Sequence, residues 1–340
     1  MNKGKSFYLK ISFIILPLLV LLSVYAITDP FRVIYSYHFE NYYNWQHWEV
    51  NRELVSVENL KERLAKNDIP DSYIFGNSRS LAFRCDVWES LLGDHANAYH
   101  LDAASETLYG VYSKVKYLDR QNIKIKNILW ICDATVFPKI ANEYDVIHIK
   151  HPDISGESKF SYQTNFVKCY FTNFFFLKHI DFLFTGKIKN YMHDMFPIVP
   201  GFFRTESYRN DYYYQKFDSL LRTDSLRYYN VFKKGGFDER THEPETLNVV
   251  IKAKQIDMLR EIKHILDKNN TQLKIVISPI YDQKKFNPAD LKALTGIFGS
   301  NNVFDYSGKN EITDCKCNFY EGNHFKPYIA NKIMRDIYSK

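Results

Sequence analysis

The sequence predicts an α/β fold built on a parallel sheet, and three observations carry that expectation. The run at 128–131 is continuously apolar and that at 273–277 is broken only by Lys274, as in strands covered by helices on both faces. Amphipathic helical stretches stand between the short β-prone runs. The first run, Ser72-Tyr73-Ile74-Phe75-Gly76, stops at a polar turn, Asn77-Ser78-Arg79-Ser80, and apolar residues at helical spacing follow (Leu81, Ala82, Phe83, Val87, Trp88, Leu91, Leu92).

Taken in order, the chain starts with an apolar run at 11–27, interrupted only by Ser12, Pro17 and Ser23 and preceded by Lys3, Lys5 and Lys10. Its length suits a single membrane span, and the positive residues before it predict that the rest lies outside the cytoplasm. An uncleaved anchor at 1–28 is favoured over a signal cleaved near Val24-Tyr25-Ala26. Residues 29–55 are crowded with aromatics, from Tyr35 to Trp48, and read as a neck lying at the membrane interface or packed on the domain.

The α/β domain is expected over 56–340. A short helix over 56–66 is predicted with Ser56 as its cap. A strand follows into Ser78, then a second at 97–101, a helix carrying Leu108, Val111, Val115 and Leu118, and a third strand at 127–132 ending at Asp133. From about 143 to 243 the alternation is lost. Phe174-Phe175-Phe176, Phe202-Phe203, Tyr212-Tyr213-Tyr214 and Tyr228-Tyr229 fall there, and the segment reads as an ordered insertion: a lid, a sugar-binding aromatic wall, or packing against the core. Patterning resumes at Pro244 with a long helix carrying Leu247, Ile251, Ile256, Leu259, Ile262 and Leu266. The strand at 273–278, a helix at 288–298, an edge strand at 303–305 and a last helix with Ile329, Ile333, Met334 and Ile337 inside follow. The expected architecture is a three-layer α/β/α, flavodoxin-like parallel sheet of about five strands, with an aromatic-rich insertion and one N-terminal transmembrane helix.

Composition excludes some classes. The net charge is +6 with scattered lysines, so no basic stripe argues for nucleic acid. Five cysteines make no disulfide framework; Cys132 reads as core, and Cys315 and Cys317 are too closely spaced for a zinc pair.

Two short motifs carry the chemistry. Gly76-Asn77-Ser78 puts a hydroxyl at the carboxyl edge of a sheet, where open α/β sheets bind ligands. A helix start there would favour a developing oxyanion, although the same residues also serve as an ordinary helix cap. Before the last helix, Glu321-Gly322-Asn323-His324 spaces a carboxylate to reach an imidazole Nδ1–H and free Nε2 as a base. A serine needs such a base to act as nucleophile.

A serine after the first strand and an acid-x-x-His before the last helix resemble the SGNH/GDSL hydrolase superfamily. The membrane-anchored extracytoplasmic branch, with D-alanyl transfer and polysaccharide O-acetylation proteins, is the more similar. The resemblance covers about 71–132 and 244–338 plus the anchor. It implies Ser78 as nucleophile, His324 as base and Glu321 as orienting acid, with Asn77 and Arg79 beside the serine. The second-block glycine falls at Ala104 or Ser105. The third-block asparagine, an oxyanion donor, is matched by Asp133, so either Asp133 is protonated or the backbone amides of Ser78 and Ser105 form the oxyanion hole. The implied function is an extracytoplasmic serine esterase or O-acyltransferase acting through an acyl-enzyme on acyl esters, acetyl above all, of cell-envelope polysaccharide. The alternative is a non-catalytic carbohydrate-binding or assembly partner of a membrane acyltransferase. The implied partners are an acylated surface glycan, the bacterial cytoplasmic membrane and a membrane-bound acyltransferase; the chemistry requires neither metal nor organic cofactor.

Overall fold

The computed structural model describes residues 3–93, 95–198, 203–232, 236–237, 240 and 245–339. Phe202 and Pro244, both singled out above, lie outside the described residues. Helix α1 (Lys3–Thr28) carries the apolar run; α2 (Arg52–Ala65) precedes β1 (Ser72–Gly76), and α3 (Cys85–Leu92) leads to β2 (Ala98–His100). Helix α4 (Leu108–Arg120) and β3 (Asn127–Cys132) follow. A long excursion then holds α5 (Pro152–Ser155), α6 (Lys159–Phe171), α7 (Phe175–Thr185), the hairpin β4 (Arg204–Glu206) and β5 (Asp211–Tyr213), α8 (Gln215–Thr223) and α9 (Ser225–Phe232). The α/β pattern returns with α10 (Ala253–Lys268), β6 (Gln272–Ile277), α11 (Pro288–Phe298) and β7 (Val303–Asp305). The short α12 (Glu311–Asp314), a ribbon of β8 (Phe319–Glu321) and β9 (His324–Phe325), and α13 (Pro327–Tyr338) complete it.

Five strands form one parallel sheet in the order β2-β1-β3-β6-β7. Counted among themselves they run 2-1-3-4-5, the flavodoxin-like order, whose switch point lies at the carboxyl ends of the first and third strands. Alternation along the strands sorts the core into two layers. Tyr73, Phe75, Trp130 and Ile275 face α2, α4, α10 and α11; Ile74, Leu129, Ile131 and Val276 face α3 and α13. At Gly76 β1 lies tight against β3 and the following turn: a Cβ there would stand 2.6 Å from the Ile131 carbonyl oxygen and 2.8 Å from Ser80 Cβ.

In α1, the stretch Lys10–Thr28 has a mean hydropathy of 2.5, and is long and apolar enough to cross a membrane. The neck packs on the domain: Phe39, Tyr42 and Tyr43 are buried with Tyr212, Tyr214 and Tyr320, and Trp48 is buried against Met192 and Met195, while Tyr35 and Trp45 remain exposed.

Several local expectations need correction. The helix expected over 56–66 is α2, which begins at Arg52; Asn51 is its cap, its Oδ1 accepting from the Glu53 and Leu54 amides. The Ser56 hydroxyl is instead buried inside the helix, bonded to the Arg52 and Asp102 carbonyls. After β1 there is no continuous helix. One 3-10 turn, Ser78–Ala82, gives way to extended Phe83 and Arg84 before α3, because Phe83 turns inward to meet Phe325, ring centroids 5.9 Å apart. Leu247 lies outside α10: its amide bonds the Lys285 carbonyl, and the Asp290 carboxylate takes the Val250 and Ile251 amides at 2.9 Å each. Cys315 and Cys317 are joined as a disulfide, and Cys132 is buried as expected of a core residue.

Candidate active site

Strand β1 delivers Ser78 to the switch point, in a turn that the sequence stabilises locally. Asn77 Oδ1 caps it by accepting the Arg79 amide, and the Ser80 amide bonds the Asn77 carbonyl. A turn of five residues offers almost no helix dipole, so the oxyanion argument cannot rest on one. The Ser78 amide makes no hydrogen bond among the described residues.

The partner histidine arrives on the β8–β9 ribbon rather than on a loop entering a helix. Glu321 and His324 are a facing pair across the two-residue turn Gly322-Asn323. Phe319 and Phe325, both buried in the α3/α13 layer, hold the ribbon down. His324 Nε2 stands 2.7 Å from Ser78 Oγ, 246 positions away. On the other side of the ring, His324 Nδ1 bonds Glu321 Oε1, and Glu321 Oε2 accepts the Asn323 amide at 2.9 Å. With Nδ1–H donating to the carboxylate, Nε2 is the lone-pair nitrogen and receives the serine proton. Burial pushes the Glu321 carboxyl up, but His324, the Asn323 amide and nearby Arg79 outweigh it and hold its pKa below the ordinary value.

Arg79 and Asp133 join the two halves. Asp133 Oδ2 accepts from Arg79 Nη1 and Asn77 Nδ2 at 2.6 Å each, and Oδ1 accepts from the Thr135 amide at 2.8 Å and hydroxyl at 2.5 Å. Arg79 continues to the ribbon, donating to the Asn323 carbonyl at 3.1 Å and to its side-chain oxygen at 3.2 Å. Burial raises the Asp133 pKa, yet the Arg79 charge and the Thr135 and Asn77 bonds bring it below the ordinary carboxylate value. The option of a protonated Asp133 donating to an oxyanion is therefore set aside: four donors converge on it, and its role is to hold Arg79 and Asn77.

Ala104 and Ser105 occupy the turn leaving β2 at the same sheet edge, where the Ala103 amide bonds the Gly76 carbonyl. Ser105 is exposed with a left-handed backbone, φ 44°, and its amide, like that of Ser78, has no partner among the described residues. No hydrogen bond ties Ala104 or Ser105 to Ser78 or His324 among those residues.

Sequence reasoning missed three contributors. Asn323 receives Arg79; Thr135 fixes Asp133; and Tyr214, from the insertion, sets its ring 6.5 Å from that of His324 and stacks on Tyr320 at 4.6 Å. Their only sequence signal is proximity to the two motifs or to an aromatic cluster. A second line, Ser80–His100–Asp211, mimics a triad, with Ser80 Oγ 2.9 Å from His100 Nε2 and His100 Nδ1 3.5 Å from Asp211. All three are buried and the Ser80 hydroxyl already donates to the Asn77 carbonyl at 2.7 Å, so this line props the turn from below. Away from the site, Glu143, Asp145 and His148 bring potential metal-ligating atoms within 4.8 Å of one another at the surface. Asp145 is spent on the Ile147 and His148 amides and the His148 ring, and Glu143 on Lys139.

Compared with known proteins, the chain matches no protein-family model and no curated protein.

Proposed function

We propose that the chain is a serine esterase or O-acyltransferase of SGNH/GDSL type. It is tethered by α1 with its bulk outside the cytoplasmic membrane, and it acts on acyl esters of cell-envelope polysaccharide. The observation that carries the reading is the Ser78–His324–Glu321 line at the carboxyl edge of the sheet, with 2.7 Å between Ser78 Oγ and His324 Nε2. In this mechanism Ser78 Oγ attacks the ester carbonyl while Nε2 takes its proton. Glu321 stabilises the imidazolium through Nδ1–H. Collapse of the tetrahedral intermediate breaks the C–O bond to the sugar, and the imidazolium returns the proton to that leaving oxygen. Water or a second sugar hydroxyl then attacks the acyl-enzyme with Nε2 again as base. The free amides of Ser78 and Ser105 are the oxyanion donors in this reading. The Cys315–Cys317 disulfide favours an oxidising compartment, in keeping with an extracytoplasmic domain.

A second reading follows from Asp133: without a side-chain donor at the third block, the site is a carbohydrate-binding or assembly module partnering a membrane acyltransferase. Labelling the full-length protein in detergent with a fluorophosphonate separates the two. Labelling that disappears in Ser78→Ala, together with at least about a 10⁴-fold loss of p-nitrophenyl acetate hydrolysis, supports the nucleophile. Equal labelling of wild type and Ser78→Ala, or none in either, overturns it.

A further inference from the structure

Helix α7 has two apolar faces, and the domain covers only one of them. At 100° per residue, Phe175, His179 and Phe182 share a stripe that packs on Trp48, with ring centroids 6.1, 5.5 and 5.2 Å away. The opposite stripe is Leu177, Ile180 and Phe184. Leu177 is 53% exposed and Phe184 87% exposed, and Leu183 beside them is 49% exposed. Between these stripes the charged residues of α7 are Lys178, paired with Asp194, and Asp181, so the outer stripe is an apolar face without a partner among the described residues of the domain. The charge nearest that stripe, Asp181, is neutralised by Lys189, both carboxylate oxygens lying 2.7 Å from its Nζ.

What covers the outer stripe follows from where the helix is held. Tyr25, in the last turns of α1, meets the Tyr170 ring of α6 at 5.0 Å. Phe31, just past α1, meets Phe175 at 4.8 Å and Phe166 at 5.5 Å. The joint between anchor and domain is a fixed elbow. The buried Asp29 carboxylate accepts the Val33, Ile34 and Tyr35 amides at 2.9, 2.9 and 3.1 Å, and Trp48 Nε1 donates to the Pro30 carbonyl at 2.6 Å. The helical pair α6–α7 is thus fastened, ring to ring, to the point where α1 ends its apolar stretch at Thr28. Lys168 on α6 and Lys187 just past α7 are exposed, with no carboxylate partner among the described residues. An exposed apolar helix face, with these lysines on the preceding helix and just past its own end, is a pattern that settles into an anionic lipid surface.

We infer that α7 lies in the outer headgroup region of the bilayer beside α1, with Leu177, Ile180 and Phe184 reaching the acyl-chain boundary. The insertion is then a membrane-seated foot that fixes the height of the domain above the lipid. This inference rests on α1 spanning the bilayer and is independent of the ester chemistry at Ser78.

The test places single nitroxides on the full-length protein in liposomes of phosphatidylethanolamine and phosphatidylglycerol, in a Cys169→Ser background that leaves Cys85 and Cys132 buried. Labels at Phe184→Cys and Leu177→Cys report on α7, Val20→Cys on the anchor and Lys254→Cys on the exposed side of α10. Collisions with molecular oxygen, enriched in lipid, are compared with those of a water-soluble nickel chelate. The expected result is a several-fold higher oxygen-to-nickel ratio at 184 and 177 than at 254, approaching that at 20. If 20 reads as lipid while 184 and 177 read as water, α7 is not seated and the inference falls with the anchor intact. Shielding of both α7 sites from both reagents, the sign of a second copy covering the stripe, overturns it equally. If 20 also reads as water, α1 does not span and the inference falls with it. Fluorophosphonate labelling of the same variants checks the Ser78 chemistry separately.

Discussion

Replacing Asp133 with asparagine distinguishes two accounts of this site that make opposite predictions. If position 133 is a lost oxyanion donor, Asp133→Asn restores it and raises turnover. In the structure, however, the Asp133 side chain is 3% exposed and pairs with an Arg79 side chain that is 11% exposed. Asparagine can still accept from Thr135, but its amide hydrogens then face two donors, Arg79 Nη1 and Asn77 Nδ2. Breaking a buried ion pair from one side typically costs about 3–5 kcal/mol. Arg79 keeps its two bonds to Asn323 and some contact with water, so the lower figure of about 3 kcal/mol applies. At roughly 2 °C per kcal/mol for a large domain, the melting temperature falls by about 6 °C. An Arg79 no longer anchored at Asp133 shifts together with the Asn323 turn it still grips, and with His324 beside it, and a misplacement of about 1 Å costs on the order of 100-fold in rate. The pH dependence has a definite sign. The folded pKa of Asp133 lies below its unfolded value of about 3.9, so its stabilisation is fully present above that pH and is lost as pH falls through the lower folded value. The melting gap between wild type and Asp133→Asn should be constant above about pH 5 and close in more acid solution. Thermal unfolding followed by tryptophan fluorescence, with p-nitrophenyl acetate turnover, reads both effects. Faster turnover at an unchanged melting temperature would refute the clamp and reinstate the missing donor.

Three further outcomes follow from the same geometry. Glu321→Gln keeps a hydrogen-bond acceptor for His324 but loses the charge that stabilises the imidazolium, so kcat should fall by about 10²–10⁴ with KM nearly constant; a raised KM at unchanged kcat would point to a binding role. Lys150→Met removes one of the two cations from a buried cluster in which Lys114 and Lys150 both pair with Glu53 and Glu106, at an expected cost of about 3–5 kcal/mol in urea unfolding. Burial raises the Glu106 pKa, but the two lysines bring it down to about 2, so the cluster's contribution is present above the unfolded glutamate value of about 4.3 and fades below it. A loss under about 1 kcal/mol for Lys150→Met would mean the cluster is not what pins the insertion to α2 and α4. Gly76→Ala must push β1 from β3 at the Ile131 carbonyl, 2.6 Å from the new methyl, and should destabilise by about 1–3 kcal/mol; a neutral result would show that the turn yields instead.

The sheet was legible because its strands carry local signals. Ile128-Leu129-Trp130-Ile131 is apolar throughout, the run at 273–277 is broken only by Lys274, and Pro288 and Val303 open elements at the places their spacing predicts. Misplaced boundaries trace to side chains whose partners are far away in sequence. Nothing near Leu247 announces that Asp290 will take the amides at 250 and 251, and nothing near Ser56 announces that its hydroxyl will be spent on Asp102. Ser78, His324 and Glu321 were legible as residue types in order, since a base and its orienting acid must be close in sequence to share one turn. The insertion resisted for the converse reason. Its aromatics are recruited by tertiary packing, as with Tyr214 on Tyr320 and Phe175 on Trp48, and packing of that kind leaves no periodic trace in the sequence.

Asp133 shows how such a gap misleads. Read along the chain it is a defect, an acceptor where a donor is wanted. Seen with Arg79 it is a requirement, because the largely buried cation directly after Ser78 has to be neutralised. The buried carboxylate does this, and turns the arginine toward Asn323, so the residue beside Ser78 grips the residue beside His324. The contact between Phe83 and Phe325 repeats the link one layer deeper, and Ser80, bonded to the Asn77 carbonyl and to His100, fixes the turn from beneath. Two ties across to the ribbon and one brace beneath the turn thus set a single distance between groups 246 residues apart. In such a site, Arg79 and Asp133 act as one unit. Removing both together should cost less stability than removing Asp133 alone, since no unpaired charge is left behind.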